Sequence, residues 1–289
     1  MACLPELPFA ADDAYGFPDA RKTVGTAQLI SIQFQRTLSA RLRRGEHVVL
    51  YGPRGGGKST LLAVLHAQFL QNGVPCGSSP QTGRLDDITQ ALERAYPDVE
   101  TAAVTRRRAQ GRLRLRADSD EGVLLLDHVT RVGTQAVGLL RRLRGGIAGV
   151  LLVVDVETER ERKRLRMRHL GTCSLAMPAV PTRTMRHLLR NLTAAHDLPP
   201  LAPAHEPQLL RAARGRPGWL ITCVDLLRQG AYRRNGDLYA SVLSADTEIA
   251  LRGESLSLSP QSFAGRAAPG GAGAARPALP FVVRNIPRK

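Results

Sequence analysis

Nine consecutive residues, Gly52-Pro53-Arg54-Gly55-Gly56-Gly57-Lys58-Ser59-Thr60, carry the strongest chemical signal in the chain. They fit G-x-x-x-x-G-K-[ST], a pattern whose chemistry is phosphate binding. The glycines let successive backbone N–H groups turn inward around phosphate oxygens. Lys58 is expected to reach the β- and γ-phosphates, and the Ser59 hydroxyl to ligate Mg²⁺. A glycine-rich turn with no ligand is the competing reading, and context decides against it. The apolar run Val48-Val49-Leu50-Tyr51 precedes the loop, and Leu61, Leu62, Val64, Leu65, Phe69 and Leu70 follow at helical spacing. Strand, glycine loop and helix together predict a nucleotide site, with all nine residues of the loop in contact with the nucleotide.

Asp127 is the second chemical landmark. It ends the apolar run Val123-Leu124-Leu125-Leu126, where a carboxylate can hold Mg²⁺ and its water shell. His128 follows directly, and a neutral imidazole there can accept the proton of an attacking water. A non-catalytic residue in a slow enzyme or a nucleotide-gated switch is the other reading of the same position. Asp155 closes a further apolar run, Val150–Val154. It is placed either to sense the γ-phosphate or to cap the helix that follows; a carboxylate beside phosphate needs a cation between the like charges. Arg166 and Arg168, late in the segment ETERERKRLRMRHL, have fewer acidic partners than the bases before them. They are candidates to reach a neighbouring subunit's nucleotide and stabilise transition-state charge. Arg214 and Arg216, in the helix–turn–helix stretch RGRPGW, are candidates to read the γ-phosphate from a second layer.

The elements that must position these groups alternate between short apolar strands and helices. Helices are predicted over 26–44, after the glycine loop to Gly73, over 85–96, within 100–116, over 134–144 and over 157–170. Strands are predicted at 48–51, weakly at 74–76 as a proline-bearing edge, at 123–127, 150–154 and 173–177. That alternation implies a mostly parallel sheet covered on both faces. After Pro181 the pattern is helical only, over 182–196, 206–214 and 217–230. The reading divides the chain into an arm (1–20), a core (21–180), a helical lid (181–250) and a Ser-, Pro-, Gly- and Ala-rich tail (251–289) that cannot bury a core.

Charge widens the list of partners. The 41 basic residues, against 25 acidic, give a net charge of +16, which favours polyanions such as duplex DNA. A merely basic surface is the plainer account, and 4% aromatic content argues against base-stacking platforms. No run of 18 apolar residues predicts a membrane span. The first residues carry acids where an export signal carries bases, and Cys3, Cys76, Cys173 and Cys223 show no metal or disulfide spacing. A cytoplasmic location is expected.

The order of the motifs resembles the AAA+ ATPases, a superfamily of P-loop NTPases. GPRGGGKST, VLLLDH, the strand ending at Asp155, the arginine-rich helix and the GRPG turn come in that family's sequence. The chain looks most like the bacterial branch near the origin-recognition/Cdc6 proteins and the ExeA, TniB and MuB type ATPases, over about residues 21–230. The resemblance implies a three-layer α/β fold with a five-stranded parallel sheet of order 5-1-4-3-2, a small all-helical lid, and ATP with Mg²⁺ held between subunits of a homo-oligomer. His128 stands where the family usually has Glu, and Asp155 where it has Asn, Ser or Thr. Both departures bear on hydrolysis rather than binding. Three expectations follow: an ATPase switch cycling between ATP and ADP, a nucleotide-gated adaptor recruiting a protein client or DNA, or a DNA-binding protein with a vestigial site. GTP is disfavoured by the lack of an N-K-x-D-like tetrad. No winged-helix domain of about 80 residues is expected after the lid.

Overall fold

The two-residue periodicity of the apolar runs sets up the architecture. In the strand His47–Gly52 (β1), Val48 and Leu50 face one way and Val49 the other, and all three are fully buried. A strand buried on both faces belongs to the middle of a covered parallel sheet. The computed structural model describes residues 30–102, 104–120, 122–129, 134–143, 149–156, 173–199, 201–229, 232–234 and 237–252. These all lie within one unit that runs to Ser255, so core and helical layer pack together.

In chain order the described elements begin with α1 (Ile32–Arg43), β1, α2 (Lys58–Gln71), β2 (Cys76–Ser79), α3 (Leu85–Ala95) and α4 (Arg106–Ser119). They continue with β3 (Val123–Leu126), α5 (Thr134–Leu143), β4 (Gly149–Asp155) and β5 (Cys173–Ala176). The bundle that follows is α6 (Thr182–Ala195), α7 (His205–Ala213), α8 (Pro217–Arg228), the two-residue strands β6 (Arg233–Arg234) and β7 (Asp237–Leu238), and α9 (Ala240–Leu251). The predicted helix 157–170, with Arg166 and Arg168, lies outside the described residues, as do residues 1–29 and 253–289.

The sheet order is β2-β3-β4-β1-β5, which is 5-1-4-3-2 read from the other edge, and every pairing is parallel. Each sheet face has its own core. Leu124, Leu126, Leu152 and Val154 pack with α3, α4 and α5, while Val48, Leu50, Leu125 and Val153 pack with α1 and α2. Three layers result, held by apolar surface removed from water on both sides of the sheet. β2 is the edge strand, as the sequence predicts, but it starts at Cys76 rather than Val74. Its second residue, Gly77, lies so near the Ala91 carbonyl of α3 that a Cβ would fall 1.8 Å from that oxygen. The bundle has a core of its own around Trp219, Leu220, Cys223, Val224 and Leu243, each fully buried. Besides the three helices read from sequence it carries α9 and the short β6–β7 hairpin.

Candidate functional site

In an open parallel α/β sheet, ligands bind beyond the carboxyl ends of the strands. The register brings Gly52 of β1 level with Asp155 of β4, so the loop after β1 and the last residue of β4 share that edge. A cleft of about 460 Å³ opens there, within the range of about 300–1,000 Å³ usual for small-molecule sites. Loop residues Arg54–Thr60, His128 and Asp155 line it from the core, and Pro217, Gly218, Ile221 and Ala250–Arg252 from the bundle.

The loop takes its shape from glycine. Gly55 (φ +74°) and Gly57 (φ +89°) are left-handed, a conformation that costs a side chain steric strain. Gly57 is the N-cap of α2, and no side chain caps that helix. The first turn of α2 therefore presents backbone N–H groups and the positive end of the helix dipole to the cleft, the arrangement that binds phosphate. Gly55 also sits directly under the bundle. Its carbonyl accepts from the Gly218 amide at 2.8 Å, and a Cβ on Gly218 would meet the Gly55 Cα at 2.8 Å. Arg54 donates to the carbonyls of Arg252 (2.7 Å) and Leu251 (3.5 Å) at the end of α9. The start of α8 and the end of α9 thus both rest on the loop.

Lys58 is 4% exposed, and its ammonium has three close acceptors. These are the Gly52 carbonyl (2.9 Å), the Pro53 carbonyl (2.7 Å) and Asp155 Oδ1 (2.8 Å). The other Asp155 oxygen takes His128 Nδ1 at 3.1 Å and lies 3.7 Å from Arg54 Nε. Burial alone would raise the Asp155 carboxyl, but the His128 ring and the Lys58 ammonium outweigh it and hold the group well below the usual carboxylate range. The hydrogen bond to Asp155 raises the His128 imidazole above its ordinary value against partial burial, and Asp127 adds to the effect.

Asp127 is 2% exposed and accepts from the His128 amide at 2.8 Å. Its own amide donates to Ser79, and the Val129 amide to Val153. Between these two ladder bonds His128 adopts φ +46°, an uncommon left-handed backbone for a side-chain-bearing residue. The kink accompanies a ring that reaches Asp155. Reading His128 as a proton acceptor requires a neutral ring. The Nδ1 contact with Asp155 ties the ring down, and Nε2 is the nitrogen left for that task.

Not every residue singled out in the sequence gathers here. The loop, His128 and Asp155 do, while Asp127 is absent from the cleft lining. Arg214 is an exposed left-handed residue ending α7 and does not line the cleft. Arg216 is 6% exposed, forms a bidentate pair with Glu248 of α9 and donates to the Ala212 and Ala213 carbonyls. It ties the bundle together instead of facing the loop. Sequence reasoning missed Gln81, Ile221 and residues 250–252. Gln81 follows a strand of sequence CGSS that has little apolar signature, and 250–252 close a helix that was not foreseen.

The strand order and the loop after β1 define a class, a three-layer α/β fold with a glycine-rich phosphate-type loop after its first strand. No family model and no curated protein sequence matches the chain. Among solved structures the fold is similar to domain III of the replication initiation protein DnaA of Thermotoga maritima. That match has 14% identity and a TM-score of 0.44, covering 74% of this chain and 89% of that one. It is also similar to Cdc6p of Pyrobaculum aerophilum at 14% identity and a TM-score of 0.48, covering 76% of this chain and 64% of that one. A third similarity is to the Orc1 protein of Aeropyrum pernix in complex with DNA, at 16% identity and a TM-score of 0.42, covering 75% and 64%. The chain spans just under two thirds of the length of the latter two.

Proposed function

We propose that this chain binds ATP with Mg²⁺ at the Gly52–Thr60 loop and acts as a slowly hydrolysing, oligomeric nucleotide switch of the AAA+ type. The observation that carries the reading is the loop itself: left-handed glycines, an uncapped helix N-terminus and a buried lysine converge on one cleft at the carboxyl edge of the sheet. Mg²⁺ keeps several waters and takes few protein ligands beside phosphates. Ser59 in the cleft and the buried Asp127 fit that sparse set, with Asp127 acting through the metal's water shell. Bound Mg²⁺ would neutralise charge on the phosphates. The loop amides and Lys58 bind and orient them, and the bundle resting on Gly55 covers the site. Residues 181–250 act as the lid in this reading. Arg166 and Arg168 remain candidates for contact with a neighbour's nucleotide.

A second reading, a nucleotide-gated adaptor that hydrolyses little, is favoured by one specific observation: His128 is occupied with Asp155. Single-turnover phosphate release from Mg-ATP, measured with and without duplex DNA, separates the two. The switch reading expects slow but measurable release that depends on Asp127. Tight ATP binding with no release under either condition establishes the adaptor.

A further inference from the structure

The pocket's own chemistry raises a question that phosphate binding alone does not answer. An ammonium has three hydrogen-bond donors, and those of Lys58 already have three acceptors. The Gly52 and Pro53 carbonyls belong to the loop backbone and accept other bonds there, from Val156 and Gly56. Only Asp155, a side chain, can leave by rotation. Its second oxygen already faces His128 at 3.1 Å and Arg54 at 3.7 Å, so a carboxylate released by Lys58 still has two cationic or proton-donating neighbours. We propose that Asp155 occupies the place of the outermost phosphate on Lys58, and that this competition sets the chain's preference between ATP and ADP. The inference rests on the nucleotide-site reading above and deepens it.

The direction follows from charge. The loop amides and the start of α2 cradle the inner phosphates, while the lysine serves the outer ones. ADP brings Lys58 only its β-phosphate, which the loop amides also hold, and so disturbs the Lys58–Asp155 pair less than ATP does. ATP brings a further anion to an ammonium that already holds one, in a place where Lys58 is 4% and Asp155 19% exposed at the side chain. At that burial two like charges repel more strongly than in water. The γ-phosphate must displace the carboxylate, so the pair works as an internal stand-in for phosphate and biases the chain toward ADP. Displacement pushes Asp155 onto His128 and Arg54, and Arg54 holds the end of α9. The lid therefore senses which anion Lys58 carries.

Binding of Mg-ATP and Mg-ADP to the full chain, measured by calorimetry for wild type, Asp155→Asn, Asp155→Ser and Lys58→Ala, tests this. Removing the carboxylate's charge is expected to tighten ATP by about tenfold, the scale of one unit charge in a partly buried site. ADP is expected to change by less than about threefold, and Asn and Ser to agree. Thermal melting of each variant identifies any that fails to fold, and the other neutral variant then carries the comparison. Equal changes for ATP and ADP, or none, while Lys58→Ala loses binding, overturn the role of Asp155 and leave the nucleotide site standing. No binding of either nucleotide to wild type or to the neutral variants overturns both.

Discussion

At the scale of single residues, the site is a chain of charges: Arg54, Lys58 and His128 around Asp155, with Asp127 behind the His128 amide. Hydrolysis needs a group that accepts a proton from water, and a correctly placed base contributes about 10²–10⁴-fold. We read His128 as the partner of Asp155 rather than as that base. His128→Ala is therefore expected to leave single-turnover phosphate release within about threefold of wild type, whereas Asp127→Asn lowers it by about a hundredfold or more. A hundredfold loss on removing His128 would restore it as the base. The loop, Asp127 and Asp155 were legible in the sequence because motif spacing and strand ends are local properties. The mutual engagement of Asp155, Lys58 and His128 was not, because it depends on the β1–β4 register and on one left-handed residue.

At the scale of elements, apolar runs located four of the five sheet strands and most helices of the described core. Boundaries shifted where side chains were uninformative. β2 reads Cys-Gly-Ser-Ser and is recognisable only through its pairing with β3 and the close approach of α3. α9 was missed because Ser, Thr and Asp recur along it, residues that compete for backbone hydrogen bonds and weaken the helical signal. Yet α9 supplies both the carbonyls for Arg54 and the Glu248 partner of the buried Arg216. The Arg216 hydrogen bond lowers the Glu248 carboxyl against partial burial. Stability from this pair is therefore full above the ordinary carboxylate value of 4.5 and is lost as pH falls through the lower folded value. Glu248→Gln is expected to cost about 1 kcal/mol or less near neutral pH, since it removes the counter-charge of a buried guanidinium but Glu248 itself is partly screened by water. Urea melts compared across pH should show that difference intact at about pH 6–8 and closing below about pH 4. A difference independent of pH would mean that the charge pair does not hold the bundle.

At the scale of the whole molecule, a net charge of +16 suggests a polyanionic partner, but the structure redistributes it. In α4, Arg106 pairs with Asp86, Arg114 with Asp118, and Arg116 with Asp98 and Asp120, while Arg112 donates to the Glu100 carbonyl. Exposed Arg107 and Arg108 enter no ion pair among the described residues. If α4 contacts duplex DNA, these two make the phosphate contacts. Replacing both with Ala is then expected to weaken binding across sequences and reduce the log–log salt slope by about 2. An unchanged slope would remove α4 from the interface. Net charge, countable from composition, thus said less than its pairing, which only the fold reveals. No helix among the described residues is long and apolar enough to cross a membrane. Whether the glycine loop binds the phosphates of ATP through Lys58 is decided by calorimetric titration of Mg-ATP into wild type and Lys58→Ala. Wild type is expected to bind saturably, and Lys58→Ala to lose binding while it still folds. Undiminished binding by Lys58→Ala would contradict this reading of the loop.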